Sequence, residues 1–396
     1  LNGLGKTFVG AEKMHQLGAP VNLLICQKSK IKDWIDHFKA NYEIDVFNLT
    51  NKCDFDAFLK IKNGIGVINY ELAWRRPELL KLRDFTLTLD ESSLIQNYKA
   101  KQTRFVMKLR PANVILLSGT PVNGKYENLW TQCRLLGWDI SHSTYDASYI
   151  NWDLADFGCG YPVKVLNKYQ PYKNIDHLKR MLKEHGAIFM KSEDVLTLPE
   201  QVFTTIKVQT PKSYKDFMKN GIVDIDDTEI IANNSLTKRL YARQICSQYN
   251  NSKFDALKDL LQSSNDRFVI FYNFNEELEK LKSVAGDRPL SIVNGQTKDL
   301  RAYEAEENSV TLCQYQAGSM GLNLQKCNKM IYFSLPERSD LFEQSKKRIH
   351  RIGTKNTCFY WILESEHSVD GAIYQALEQK RDFTDALFME KCDKNH

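Results

Sequence analysis

Three groups of residues in this chain have the types and spacing to handle a phosphate chain. Gly3-Leu4-Gly5-Lys6-Thr7 opens the sequence and leads into a helix-like stretch ending at Gly18. Glycines let backbone N–H groups close on phosphate oxygens, the Lys6 ammonium supplies a point charge to the β and γ phosphates, and the Thr7 hydroxyl can ligate magnesium. This is the second half of a phosphate-binding loop; a glycine-capped helix start is the alternative reading. Asp90-Glu91 ends the apolar run FTLTL, where an Asp can hold the metal and a Glu can orient the attacking water. A solvated acidic strand end is its alternative. Arg348 and Arg351 stand three residues apart in KKRIHR, one turn of a helix, so both can point at one phosphate group. A solvated basic helix face is the plainer account.

The elements that must position these residues are legible as alternating apolar runs and amphipathic stretches. VNLLICQ (21–27), IDVFNL (44–49), GVINY (66–70), FTLTLDE (85–91) and NVILLSG (113–119) read as buried strands of a parallel sheet with helical crossovers, an α/β fold. Ser29 is placed to cap a helix whose apolar positions Ile31, Trp34, Ile35 and Phe38 recur every three or four residues. Open sheets of this kind bind ligands at the carboxyl ends of their strands, and both Asp90-Glu91 and Ser118-Gly119-Thr120-Pro121 fall there, although a plain turn also explains the second. Residues 138–187 lose the strand rhythm and read as an irregular surface insertion closed by a helix near 174–185. A second series runs from QVFTTIKVQ (201–209) to CFYWIL (358–363) and a long helix. Two α/β lobes are expected, 1–195 and 196–396.

The 396 residues are 42% hydrophobic and 26% charged, with 19 Gly and 10 Pro, which excludes disordered, collagen-like and fibrous classes. A net charge of +5 allows a polyanion partner without requiring one. No apolar run approaches the length needed to cross a bilayer. The nine cysteines include no CxxC pair, so reduced thiols inside a cell fit better than a zinc site. The chain starts on Leu1 without a secretory pattern, and part of the natural N-terminus is expected upstream.

The order of these segments resembles the superfamily-two helicases, specifically Swi/Snf-type DNA translocases in a compact phage or bacterial form. Residues 24–38, Tyr70-Glu71 and DESSLIQN (90–97) are similar to successive motifs of that family, and LLSGTPVNGKYENLW (116–130) to its third. Asp194-Val195-Leu196 with Leu198-Pro199 resembles the crossing between lobes. Phe271 and Asn273, then Gly295, Thr297 and Arg301, then AGSMGLNL (317–324), are similar to motifs of the second lobe. Gln344, Arg348, His350, Arg351, Ile352 and Gly353 reproduce most of its sixth. Ser93 stands in place of the family's His, Thr354 in place of Gln, LPERSD (335–340) in place of a Trp-Asn-Pro segment, and Met190-Lys191 where an Arg pair is frequent.

The resemblance implies two RecA-like lobes and a DNA-dependent ATPase that moves along duplex DNA. It implies that ATP and magnesium are held by Gly3, Gly5, Lys6, Thr7, Asp90, Gly321 and Gln344, with Thr7 and Asp90 on the metal. Glu91, Arg348 and Arg351 would be catalytic, the arginines coming from the lobe opposite the phosphate loop. Lys28, Ser29, Asn273 and Thr297 would touch the nucleic-acid backbone. The family's first strand and adenine-reading motif precede the point where this sequence begins. A cytoplasmic DNA-metabolism motor of a bacterium or phage-infected cell, with a nuclease or a replication or recombination partner, fits this pattern better than a nuclear remodeller. A strand-separating helicase and a DNA-binding module with a relic ATP site are the rival readings.

Overall fold

The computed structural model describes residues 5–119, 125–155, 162–167, 169–189, 198–226, 228–318, 322–383, 387–388 and 391–392. Gly3, Gly321, Thr120, Pro121, Met190 and Lys191 therefore lie outside the described residues. The chain divides into two units, Leu1–Val195 and Leu196–His396.

In the first unit β1 (Val21–Cys26), β2 (Val46–Asn48), β3 (Gly64–Asn69), β4 (Phe85–Asp90) and β5 (Asn113–Leu117) pair in the order β2-β3-β1-β4-β5, every pair parallel. Strands buried on both faces are apolar at successive positions, and β1 shows the division of labour. Leu23 and Ile25 pack with Leu87 and Leu89 on one face, while Leu24 and Cys26 pack with Trp34 and Phe38 on the other. The helix Lys6–Leu17 lies against β5 because Gly10 has no side chain: a Cβ there would come 2.6 Å from Leu117 Cδ1 and 3.2 Å from Trp34 Cη2.

Two local expectations are corrected. Ser29 does not cap the helix Ile31–Asn41; it sits in a 3₁₀ turn, Lys28–Lys30, and Lys30 occupies the N-cap position, its ammonium paired with Asp33 rather than capping the helix. The apolar period placed the helix properly, but the exposed turn before it absorbed the serine. Residues 138–187 are also more ordered than an irregular insertion. They carry the helices His142–Tyr149 and Ile175–Glu184, an antiparallel hairpin of β6 (Trp152–Ala155) and β7 (Val163–Leu166), and a small core around Trp138, Tyr145, Tyr149, Leu178 and Leu182. Its aromatic residues build that core.

The second unit is a seven-stranded sheet. Its strands are β8 (Gln201–Val208), β11 (Phe268–Tyr272), β12 (Leu290–Val293), β13 (Lys298–Asp299), β14 (Val310–Gln314), β15 (Lys329–Tyr332) and β16 (Cys358–Ser365), with β9 (Ile222–Ile225) and β10 (Thr228–Ile231) forming a separate hairpin. The order is β13-β12-β14-β11-β15-β16-β8, parallel except for β13 on β12. The first strand of the unit, β8, pairs with the last, β16, along all eight residues. Val269 and Phe271 enter one core and Phe268, Ile270 and Tyr272 the other. Among the described residues no helix is long and apolar enough to cross a membrane.

Candidate functional site

Parallel strands deliver their C-terminal ends to one edge of a sheet, and the first unit's reactive residues gather there. Asp90 is the last residue of β4, Lys28 and Ser29 follow β1 beside it, and Ser118 follows β5. Gly5 adopts a left-handed conformation (φ 68°) at the start of the helix Lys6–Leu17, which glycine enters without steric cost. That turn brings Lys6 onto the same edge, with Thr7 next to it in the helix's first turn.

Lys6 Nζ lies 3.1 Å from Glu91 Oε2. The other carboxylate oxygen, Oε1, accepts from Ser93 Oγ at 2.8 Å and from Ser118 Oγ at 3.2 Å. Burial alone would raise the Glu91 carboxyl, but the Lys6 ammonium and the hydrogen bonds from Ser93, Lys6 and Ser118 outweigh it and hold the group below the ordinary carboxylate value. Glu91 itself has φ 58° and ψ 57°, an unfavourable region for a residue with a Cβ. A strained residue carrying a buried, fully engaged carboxylate is a feature of functional sites.

Asp90 is oriented from two sides. Trp34 Nε1 donates to Oδ2 at 2.9 Å, and the Tyr70 hydroxyl donates to the Asp90 main-chain oxygen at 3.0 Å. Oδ1 has no hydrogen-bond partner among the described residues, so Asp90 retains one oxygen donor for a cation. With the Thr7 hydroxyl these are hard oxygen donors of the kind magnesium takes. By period Trp34 and Tyr70 are core aromatics, and their motif resemblance does not say which group each one holds; the general requirement that a buried indole N–H or phenol finds an acceptor is the signal that points to a polar duty.

In the second unit the two arginines are brought together, though not as expected. The helix Ser339–Lys346 ends before Arg348, so the pair lies in the turns of residues 347–353 and not on one helical face. Arg348 Nη1 and Arg351 Nη1 each lie 3.4 Å from the Leu322 carbonyl oxygen. Arg348 is only 8% exposed and its Nε donates to the Gln344 carbonyl at 3.1 Å. Arg351 is half-buried, and burial lowers its pKa. His350 Nε2 meets the Pro199 carbonyl at 2.8 Å, and the Thr354 hydroxyl donates to the Ile349 carbonyl at 2.6 Å, which together fix the turns.

The remaining candidates divide. Lys28, Ser29 and Thr297 are exposed, and the main-chain N–H of Thr297 is held by Asn294 Oδ1 at 2.8 Å. Asn273, at the end of β11, is committed inward: its amide donates to Ser334 Oγ at 3.2 Å and to the Leu335 carbonyl at 2.8 Å. Its neighbour in that network is Glu277, a buried carboxylate accepting from the backbone N–H groups of Asn273 and Phe274 and from Ser334 Oγ. Sequence reasoning did not single out Glu277, which looks like any surface residue at a helix start.

Two family models match the chain in succession. The SNF2-related domain matches residues 3–253, and the helicase conserved C-terminal domain matches residues 252–353. The first match thus runs past the structural boundary at Val195 and takes in β8 and the helices after it. An uncharacterized ATP-dependent helicase of Mycoplasma genitalium is 22% identical over 401 residues, covering 94% of this chain and 37% of that protein. A SWI/SNF-related matrix-associated actin-dependent regulator of chromatin subfamily A-like protein 1 homolog of Caenorhabditis elegans is 21% identical over 407 residues, covering 96% of this chain and 57% of that protein. The solved Sulfolobus solfataricus SWI2/SNF2 ATPase core in complex with dsDNA superposes with a TM-score of 0.45 at 18% identity, covering 99% of this chain and 87% of that one. The chain spans well under two thirds of the Mycoplasma and nematode relatives. With a domain match across more than half of its residues, the chain belongs to the SNF2-related domain family.

Proposed function

We propose that this chain is the motor of an ATP-dependent DNA translocase, hydrolysing ATP to drive movement along duplex DNA. The observation that carries the reading is the Lys6–Glu91–Asp90 cluster at one sheet edge, in the part of the chain that matches the SNF2-related domain. The relatives' names, an ATP-dependent helicase among them, support it.

In this mechanism Lys6 exchanges Glu91 for the β and γ phosphates. Thr7 and Asp90 Oδ1 would hold a magnesium ion, which when bound neutralises phosphate charge. Release of Lys6 leaves Glu91 Oε2 to orient a water and accept its proton, while Ser93 and Ser118 keep Oε1 in place. Arg348 and Arg351 are assigned to the charge that develops on the transferred phosphoryl group. Gln344, whose carbonyl holds Arg348, positions that pair, and Gly3 and Gly321 are assigned to the phosphate loop and to motif five. Lys28, Ser29 and Thr297 supply backbone contacts that position DNA without reading its sequence; Asn273 acts by shaping the strand end.

A DNA motor working inside a bacterial or phage-infected cell is the setting this implies. The helicase names of the relatives keep strand separation as the second reading. ATPase assays with blunt duplex and with single strands separate the two. Stimulation by duplex is expected, and stimulation by single strands alone would favour the helicase.

A further inference from the structure

Residues 333–339 join the end of β15 to the helix Ser339–Lys346 and are tied down at several points. The buried Lys253 ammonium donates to the Phe333 carbonyl at 3.2 Å, and the Ser339 N–H and hydroxyl both donate to Asp382 Oδ1 at 2.9 Å. The middle of the segment is held by Arg243, on the helix Ser235–Ser247. Its Nη2 donates to the Leu335 carbonyl at 3.2 Å, its Nη1 lies 3.1 Å from Glu337 Oε2, and its guanidinium carbon is 5.2 Å from the centre of the Phe274 ring. Arg239, one turn earlier on that helix, brings Nε to 2.9 Å from Glu337 Oε1. The Glu337 carbonyl in turn accepts from the Phe383 N–H at 2.7 Å. A planar guanidinium fork fixes two acceptors at one separation, which the point charge of a lysine does not. Glu337 falls in LPERSD, the stretch where this chain departs from the Trp-Asn-Pro segment of the family it resembles.

The helix that this segment enters is eight residues long, and its last turn presents the Gln344 carbonyl that holds Arg348 Nε. Its far end is fastened to the sheet, where the Tyr360 hydroxyl donates to the Lys346 carbonyl at 2.9 Å. Its near end is set by the segment that Arg243 grips. We propose that Arg243 and Glu337 are positioning residues for Arg348: their ion pair fixes where the helix Ser339–Lys346 begins, and the helix carries that placement to the Arg348 guanidinium. The inference rests on the assignment of Arg348 to the transferred phosphoryl group and adds the pair that aims it. A misplacement of about 1 Å far from the chemistry can cost about a hundredfold in rate, and a group that acts only in the transition state affects kcat and leaves substrate binding alone.

The test measures kcat and KM for ATP hydrolysis by the full chain with Glu337→Ala and with Arg243→Lys, each alone and combined with Arg348→Ala. Thermal unfolding of every variant sets the assay temperature below its midpoint. Glu337→Ala removes the carboxylate, whereas Arg243→Lys keeps the charge and loses the fork, so the second variant reads the same contact without deleting a side chain. Each alone is expected to lower kcat about tenfold at unchanged KM. In the Arg348→Ala background the same change is expected to cost less than about twofold further, because the group it aims is gone. A kcat equal to wild type in both variants, a loss carried by KM, or the full loss persisting in the Arg348→Ala background would overturn the assignment. Turnover by Arg348→Ala alone equal to wild type would remove the assignment of that arginine itself, and this inference with it.

Discussion

Lys6 and Glu91 are 85 positions apart in sequence, and their charged ends meet at 3.1 Å. The relation makes each residue the other's partner, and in the proposed mechanism a phosphate chain takes the place of Glu91 on Lys6. Both are largely shielded from water, with side chains 14% and 18% exposed, so the pair is screened less by salt than a surface ion pair. In the proposed mechanism, exchange of Lys6 from carboxylate to phosphate would couple nucleotide binding to release of the Glu91 carboxylate.

Trp34→Phe keeps the packed shape of the core but removes the indole N–H that reaches Asp90 Oδ2. Its ring remains stacked near Phe38, so the fold is expected to persist. Losing a hydrogen bond to a charged group costs about 1.5–3 kcal/mol, and a fall of about tenfold or more in magnesium-nucleotide affinity is expected. Isothermal titration, with thermal unfolding as the control, measures it.

Ser93→Ala removes one of the two hydroxyls on Glu91 Oε1 while Ser118 retains the other. The expected result is a loss of about tenfold in kcat at nearly unchanged KM, because the carboxylate acts on the water and not on nucleotide binding. Ser93→Thr, which keeps the hydroxyl, restores activity if the contact is responsible.

The two arginines are predicted to separate by variant. Arg351→Ala removes a half-buried side chain and is expected to lower hydrolysis by about a thousandfold, the range seen for transition-state arginines, with ATP affinity close to wild type. Arg348→Ala removes the Nε donor to the Gln344 carbonyl from a buried position and is expected to reduce the unfolding midpoint as well. Paired ATPase and thermal-melt measurements check both.

Much of the first unit is legible in sequence, because strands buried on both faces must be apolar at consecutive positions and β1, β3 and β4 have little freedom to be read otherwise. The Asp90-Glu91 pair is visible for the same reason: a charged pair at the end of FTLTL interrupts an unmistakable pattern. What the sequence does not reveal is contact made through the polar tip of an apolar residue. Trp34 counts as core by period, and nothing in its spacing announces that its N–H reaches a residue 56 positions away. The turns holding Arg348 and Arg351 are hidden because KKRIHR has helical spacing, whereas the contact of His350 with the Pro199 carbonyl, 151 positions away, depends on tertiary structure.

Glu277 gives a pH prediction of defined sign. Burial raises its pKa above the ordinary 4.5, against the hydrogen bonds from Ser247, Phe274, Asn273 and Ser334 that lower it. A carboxyl with a higher pKa in the folded state binds more protons folded than unfolded, so its contribution is fully present below the unfolded value and declines as pH rises toward the folded one. Glu277→Gln does not ionise and is expected to flatten the stability profile from about pH 4.5 upward. Denaturant midpoints across that range measure the difference.

The most direct test is ATP turnover by the wild-type chain, Lys6→Ala and Glu91→Gln, each with and without duplex DNA. The account predicts duplex-stimulated turnover in the wild type, loss of ATP binding in Lys6→Ala, and retained binding with turnover reduced by about a hundredfold or more in Glu91→Gln. Turnover in both variants equal to wild type would contradict it.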